Sequence, residues 1–447
     1  MTLVPQHIIL QSPASNDPLL DLNTQPSLDL QFATGKTLND RVSGNNLITF
    51  SRADATTCAT YVDSNGVIQT AAANVPRFDH DPVTGESLGL LIEESRTNEI
   101  YNSNAKVYQT GQPFTSVGNI WQSCSNPSQG IITNISTTSE VGPDGLSGVT
   151  KVAPEAGISY DLVDFTVTDG FQVGFTYTGN LKAITGFFKP SGCDILNVRW
   201  GNYSTARAVY TFNASTLVVT GSDASIVALA NGWFKFQITN SARQSLTFGC
   251  SKSNGDPNNG VDGVLFWGVQ SEDNVSFPTS YIPTSASAVT RAADVASITG
   301  ANFSSWHNNS ASTLYIESPS FPEYSKVSNG AFIYISDVAV FSIGTGDGIK
   351  FGTGSPSTNT RLFVTEGATN VSLFNNAPGT KFAFGLTAGD LAGAIDGSIV
   401  GTDNTAVMPT GMDRLVMTPY SSGYAHISRL TYYPYRLADA TLQEITS

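Results

Sequence analysis

Apolar and polar residues alternate in short runs along most of this chain, and the period is that of strands, not helices. In ATYVDSNGVIQTA (59–71) the alternation runs up to Asp63-Ser64-Asn65-Gly66 and back again. Asn65-Gly66 offers the positive-φ positions that a tight turn needs, so this segment predicts a β-hairpin. From about residue 101 to 294 strand-like runs recur at short intervals: GVTKVAP, YDLVDFTV, ITGFFKP, ARAVYTFN, WFKFQIT, LTFGCS and GVLFWGVQ. The pattern begins again after residue 300 with STLYIES, GAFIYIS, IKFGT, TRLFVTE, NVSLFN, KFAFGLT, DRLVMTP and AHISRLTYYP. Many short strands punctuated by Gly, Asn, Asp and Pro predict two β-sandwiches. Helical spacing appears only in RLADATLQEIT at the end, where Asp439 is placed to cap a short helix.

These runs divide the chain into four parts. Residues 1–27 read as an irregular, proline-punctuated arm with no core of its own, so its order would come from a partner. Residues 28–100 read as a hairpin-rich junction module. Residues 101–294 form the first sandwich and 295–447 the second. The fold class expected is therefore all-β: an arm and hairpin module followed by two β-sandwiches.

Composition narrows the function. Charged residues make up 13% of the chain, about half the usual ~25%. Gly, Ser, Thr and Asn fill their place, which suits turn-rich sheets. The formal charge of −14 repels phosphate, and no basic stripe interrupts it, so nucleic acid is not an expected partner. No apolar run approaches the ~20 residues of a membrane span, so membrane insertion is not expected. The first residues lack the basic-then-apolar order of a secretory signal. Cys58, Cys124, Cys193 and Cys250 are widely spaced without a C-x-x-C pair, which reads as scattered thiols in a protein made in a reducing cytoplasm.

Three stretches carry a resemblance. NLITFSRADATTCATYVDSNGVIQTAAANVPRFDHDPVTGESLGLLIEESRTN resembles a module of tailed-phage virion proteins, the tail or head fibres and spikes. NGWFKFQIT with FWGVQSEDNVSFPTSYIPTSASAVTRAAD resembles the end of the jelly-roll, carbohydrate-binding-module-like domain that often follows it. The last stretch, up to HISRLTYYPYRLADATLQEIT, resembles a concanavalin A-like or laminin G-like sandwich. The resemblance implies a virion structural protein made and assembled in the host bacterial cytoplasm. It implies a fibre or spike attached through its N-terminal region to head, portal or tail proteins, forming a homotrimer and touching host surface polysaccharide. The alternatives are a capsid or tail decoration protein without receptor binding, and a polysaccharide depolymerase.

The candidate chemistry is sparse. RFDHDPVTGESLGLLIEESRTN (77–98) clusters Arg77, Asp79, Glu93, Glu94 and Arg96 around one apolar run. Adjacent Glu93 and Glu94 would point to opposite faces of a strand, so they are not a glycosidase pair by themselves. Arginine partners make a salt-bridged junction the expected role. The Glu-x-Asp-x-(x)-Glu pattern of glucanases is missing around Glu317, Glu323 and Glu366, and no G-x-S-x-G accompanies His7, His80, His307 or His426. No catalytic residue and no cofactor is therefore expected. For metal, NGDPNNGVDG (254–263) offers Asp256 and Asp262 as ligands to a structural Ca²⁺ of the kind related jelly rolls hold. For glycan, Trp200 and Tyr203 in RWGNYSTAR are placed to project from a loop and stack on a sugar ring.

Overall fold

The computed structural model describes residues 19, 25–105, 108–110, 121–124, 133–154, 156, 170–174, 181–201, 207–221, 223–241, 245–275, 277–319, 331–339, 346–353, 360–367, 369–375, 379–419 and 423–447. The chain is all-β, with three short helices among the described residues. It divides into two compact units. One comprises Phe50–Val295 with Ser421–Tyr424, the other Met1–Thr49 with Ala296–Tyr420 and Ala425–Ser447.

The first of these units is built on a sandwich of two six-stranded sheets. One runs in the order Thr133–Thr137, Thr150–Pro154, Gly263–Asp273, Leu181–Ser191, Phe234–Ser241, Ala224–Ala228. The other runs Arg207–Asn213, Ile195–Gly201, Ser245–Ser251, Gly170–Gly174, Trp121–Cys124, Tyr108–Thr110. Alternation decides which side chains meet between them. Leu196, Val198 and Trp200 of Ile195–Gly201 are 0% exposed in the core, and Asn197 and Arg199 take the other face by strand geometry. Across the sandwich Phe248 and Phe266 have ring centroids 4.5 Å apart. Each such ring, fully buried, contributes about 1.5–3 kcal/mol.

In one of these sheets the neighbouring strands Thr150–Pro154 and Gly263–Asp273 come so close at one point that only glycine fits. A Cβ on Gly263 would lie 2.2 Å from the Val152 carbonyl oxygen and 2.9 Å from the Ala153 Cα. Both are backbone atoms and neither can swing away. Gly263→Ala is expected to destabilise this unit by about 1–3 kcal/mol or more, seen as a lower urea midpoint.

The hairpin forms as expected, with Ala59–Val62 paired antiparallel to Ile68–Ala71. Its turn is closed by Gly66 N–H donating to Asp63 O at 2.9 Å and Asp63 N–H donating to Val67 O at 2.9 Å. Of the Asn65-Gly66 pair only Gly66, at φ 74°, takes the left-handed conformation. A single left-handed glycine after the turn is the signature of a bulged hairpin loop, not of a two-residue primed turn. A second hairpin pairs Phe78–His80 with Ser87–Glu93, and Arg96–Asn98 pairs with Val289–Arg291.

The other unit is a second sandwich. One sheet orders Leu28–Gln31, Arg429–Tyr433, Ala311–Glu317, Lys381–Thr387, Asp390–Ile395 and Ser398–Asp403. The sheet facing it runs through Val295–Thr299, Arg414–Met417, Ala331–Ser336, Gly348–Thr353, Thr360–Glu366 and Thr369–Asn375. Phe351 of one sheet meets Phe382 of the other at 4.8 Å. The closing helix, Asp439–Thr446, buries Leu442 and Ile445 against Ala392 and Ala394. Its N-cap is Ala438, not Asp439. Asp439 sits in the first turn and accepts from Arg436 Nη2 at 2.5 Å, where its charge still favours the helix N-terminus.

One sequence-based boundary is corrected. Leu28–Gln31 does not belong to a junction module, because it pairs residue for residue with Arg429–Tyr433. Asp29 fixes that register: its carboxylate accepts from Arg429 Nε at 2.8 Å, Arg41 Nε at 2.8 Å and Thr431 Oγ1 at 2.9 Å. Leu19, a described residue of the expected arm, packs within its own chain. Leu19 is buried beside Tyr433, Leu437 and Leu442, and its carbonyl accepts the Tyr433 hydroxyl at 2.8 Å.

Candidate functional site: a buried arginine–carboxylate cluster

The cluster legible around Arg77 is real, but it is larger and more deeply buried than its sequence neighbours imply. Arg77 sits just before the strand Phe78–His80, and Glu93 ends the strand that pairs with it. Arg77 Nη1 donates to Glu93 Oε2 at 2.7 Å and to Thr60 O at 2.9 Å, and its Nη2 donates to Asp294. Arg291 Nη1 reaches the same Glu93 oxygen at 2.8 Å. Ser280 completes the shell, giving its N–H to Oε1 at 2.7 Å and its hydroxyl to Oε2 at 2.6 Å. Asp294 further accepts from Glu93 N–H at 2.9 Å and from Arg52 Nη1 at 3.2 Å. Arg52 Nε donates to Asp54 at 2.6 Å, and Asp54 in turn accepts the Ala292 N–H at 2.8 Å.

Three arginines thus meet three carboxylates with their side chains at most 2% exposed. Burying any one of these ions alone costs several kcal/mol. Charge balance and saturation of the lone pairs offset that cost. The result is a clasp tying residues 52–94 to residues 280–294.

Glu94, on the opposite side of the backbone, pairs with Arg96 and accepts Gly423 N–H at 3.0 Å. The Arg96 guanidinium lies 5.2 Å from the Phe277 ring centroid. Neighbouring Glu272 is 0% exposed and accepts from Thr279 N–H at 2.9 Å and Thr279 Oγ1 at 2.5 Å.

The two adjacent glutamates titrate in opposite directions. Burial alone would raise Glu93, but Arg291, Arg77 and the two Ser280 donors overcome it and hold its pKa at about 2. For Glu94 burial wins over Arg96 and the Gly423 amide, pushing it up to about 7. A carboxyl raised on folding binds a proton that the unfolded chain has released. Glu94 therefore stabilises the fold fully below its ordinary 4.5, and that contribution is lost as pH rises through about 7. Glu94→Gln is expected to flatten the decline in melting temperature between these two pH values, read by thermal melts across the range.

The remaining sequence candidates separate. Asp79 Oδ1 accepts the Val62 N–H at 2.6 Å, orienting the first hairpin. His80 is buried, with Nδ1 2.9 Å from Val62 O. Trp200 is corrected: it lies in the sandwich core at 0% exposure and offers no face to a sugar. Tyr203 lies outside the described residues. Asp256 accepts from Asn254 Nδ2 at 2.7 Å, whereas Asp262 is held by Lys252 Nζ at 2.7 Å. An ammonium on Asp262 opposes a cation there, and among the described residues no three His, Cys, Asp or Glu side chains converge on a metal position. Glu366 accepts from Thr410 N–H at 2.7 Å and Thr410 Oγ1 at 2.8 Å. Glu323 lies outside the described residues.

Sequence reasoning missed Arg52, Asp54, Ser280, Arg291 and Asp294. Arg52 and Asp294 stand 242 residues apart, and no local spacing announces such a pair. The available signal was two arginines and two acids in stretches otherwise poor in charge, SRAD (51–54) and TRAAD (290–294).

No family model matches this chain, and no curated protein matches it. Among solved structures it is similar to domains LG4-5 of the mouse laminin alpha1 chain, at 9% identity and TM-score 0.20, covering 57% of this chain and 82% of that one. It is similar to Trypanosoma rangeli sialidase with the inhibitor DANA, at 11% identity and TM-score 0.24, covering 71% of this chain and 72% of that one. The same sialidase with sialic acid gives 11% identity and TM-score 0.24, covering 89% and 98%. Likeness at this level carries no argument about binding or chemistry.

Proposed function

We propose that this chain is a structural protein of a tailed-phage virion, a fibre or spike component whose sandwiches bind and do not cut. On this reading the N-terminal region attaches to head, portal or tail proteins, and three copies associate. The sandwiches then project outward to meet host surface polysaccharide. The observation that supports binding over bond-breaking is the state of the clustered acids. Glu93, with four donors on its two oxygens and its side chain 2% exposed, is sealed from solvent and held ionised down to about pH 2. A glycosidase needs an acid that gives up its proton across a cleft. Glu94, though raised to about 7, is occupied by Arg96 and a backbone amide.

The test uses purified full-length protein and the surface polysaccharide of a susceptible host. Calorimetry is expected to register binding, and a reducing-end assay is expected to stay at background. Release of new reducing ends would replace this reading with a depolymerase. Absence of both signals would leave a decoration protein without receptor binding.

A further inference from the structure

The first sandwich holds a buried lysine that the binding role does not use. Lys182 lies in Leu181–Ser191, two positions before the core residue Ile184 and on the same face of the strand by alternation. It is 0% exposed. The neighbouring strand, Gly263–Asp273, sets Asp273 directly opposite Lys182 in antiparallel register. Lys182 Nζ lies 3.1 Å from Asp273 Oδ1. A second carboxyl reaches the same nitrogen from outside that ladder, with Glu99 Oε2 accepting from Lys182 Nζ at 2.6 Å. The Glu99 backbone is tied to this sheet, its N–H donating to Ser271 O at 3.0 Å. Next to it Ile100 enters the sandwich core at 0% exposure. The Glu99 and Asp273 side chains are 19% and 24% exposed. The lysine is therefore sealed, while its two carboxyl partners keep a narrow route to solvent.

We infer that Lys182 and Asp273 are the site of an isopeptide bond, formed within the folded chain with Glu99 as the proton carrier. Amide formation asks for a nitrogen freed of its extra proton, a carboxyl carbon within reach, and a group that moves protons between them. The fold holds all three together, which turns a slow reaction between free groups in water into an intramolecular one. Glu99 Oε2 takes a proton from the ammonium. The Nζ lone pair then attacks Asp273 Cγ, presented face-on by rotation of the carboxyl about its bond to Cβ. The Nζ–Cγ bond forms and one Cγ–O bond breaks. The departing oxygen gathers the two protons that Nζ sheds, each carried by Glu99 in turn, and leaves as water. An ammonium and a carboxylate become one amide and one water, with no change of oxidation state and no co-reactant.

The surroundings fit this chemistry better than they fit a plain ion pair. One ammonium faces two carboxyls, and a plain pair needs only one. Burial raises Glu99 above its ordinary 4.5, which suits a group that must hold a proton and then hand it to a leaving oxygen. The product is neutral where Lys182 and Asp273 were charged, so the cost of keeping two ions from water disappears. The bond would also tie together the two central strands of this six-stranded sheet and, as any long-range cross-link does, restrict the unfolded chain.

The experiment incubates the folded full-length protein, denatures it and measures its intact mass. The mass is expected to fall short of the sequence mass by one water. A protease digest is expected to yield a branched peptide whose fragmentation places the link between Lys182 and Asp273. Asp273→Ala and Glu99→Gln should both keep their full sequence mass, the first for want of the carboxyl and the second for want of the proton carrier. Wild-type protein at full sequence mass, a branch at any other pair, or loss of water that persists in Asp273→Ala would each overturn the inference. A bond that forms unchanged in Glu99→Gln would overturn the role given to Glu99. The wild-type mass and digest decide the matter even if the variants do not fold.

Discussion

Arg77→Ala is expected to cost about 3–5 kcal/mol of stability, the range for breaking one partner out of a buried ionic cluster. The guanidinium is 0% exposed and serves Glu93, Asp294, Thr60 and Ser280 together. Its removal leaves Glu93 to Arg291 and Asp294 to Arg52, with a net negative charge sealed from water. Arg77→Lys keeps the charge but not the planar fork, and should fall between wild type and alanine. Urea unfolding monitored on the unit that holds the cluster reads this as a lower midpoint at unchanged slope. Acid provides an independent check. Glu93 falls on folding from its ordinary 4.5 to about 2, so it stabilises the fold above 4.5 and that stability is lost as pH falls toward 2. At about 1.4 kcal/mol per pKa unit this is on the order of 3 kcal/mol. Glu93→Gln should remove most of that acid dependence while being less stable at neutral pH. An Arg77→Ala protein as stable as wild type would mean the clasp is not what joins these segments.

Trp200→Ala is expected to cost a further class of stability, about 3–5 kcal/mol, through the cavity left in a closely packed core. Trp200 stands across from Leu246 and Ala208 in the two adjoining strands and is 0% exposed. Among the described residues its buried indole Nε1 has no hydrogen-bond partner, an arrangement that itself costs free energy. Trp200→Phe deletes that unpaired donor along with some volume, so it should be much milder than alanine. Thermal melts of the two variants check the difference. Folded Trp200→Ala protein should keep any polysaccharide affinity of the wild type. A variant with unchanged stability and lost affinity would return Trp200 to the role of a sugar platform.

The fold was largely legible because strand alternation and turn residues are local signals. Ile195–Gly201 is a strand that was not expected from the sequence. Leu196, Val198 and Trp200 fall at alternate positions, a local signal that places Trp200 in the core. The Gly and Asn that follow it made a projecting loop attractive, and that weighting was the error. Non-local pairing was not legible. Nothing in LDLQ (28–31) states that its neighbour is RLTYY (429–433), since strand partners are chosen by the whole sheet and not by either segment. The site shows the same split. Arg77, Glu93, Glu94 and Arg96 lie close in sequence and were found. Arg52, Arg291 and Asp294 reach them through folding alone, and only a surplus of charge in quiet stretches marked them. Asp262 misled because its loop is rich in oxygen ligands, while Lys252, which neutralises it, opens the same loop just before the NGDPNNGVDG run.

The proposed function rests on location, since it makes the chain a passive outer component of a particle. A cryo-EM reconstruction of the assembled phage measures that directly. The reading requires density for both sandwiches on the particle exterior, in three copies about a common axis, with the N-terminal residues buried in a head, portal or tail protein. A particle that assembles and infects without any density for this chain would contradict it.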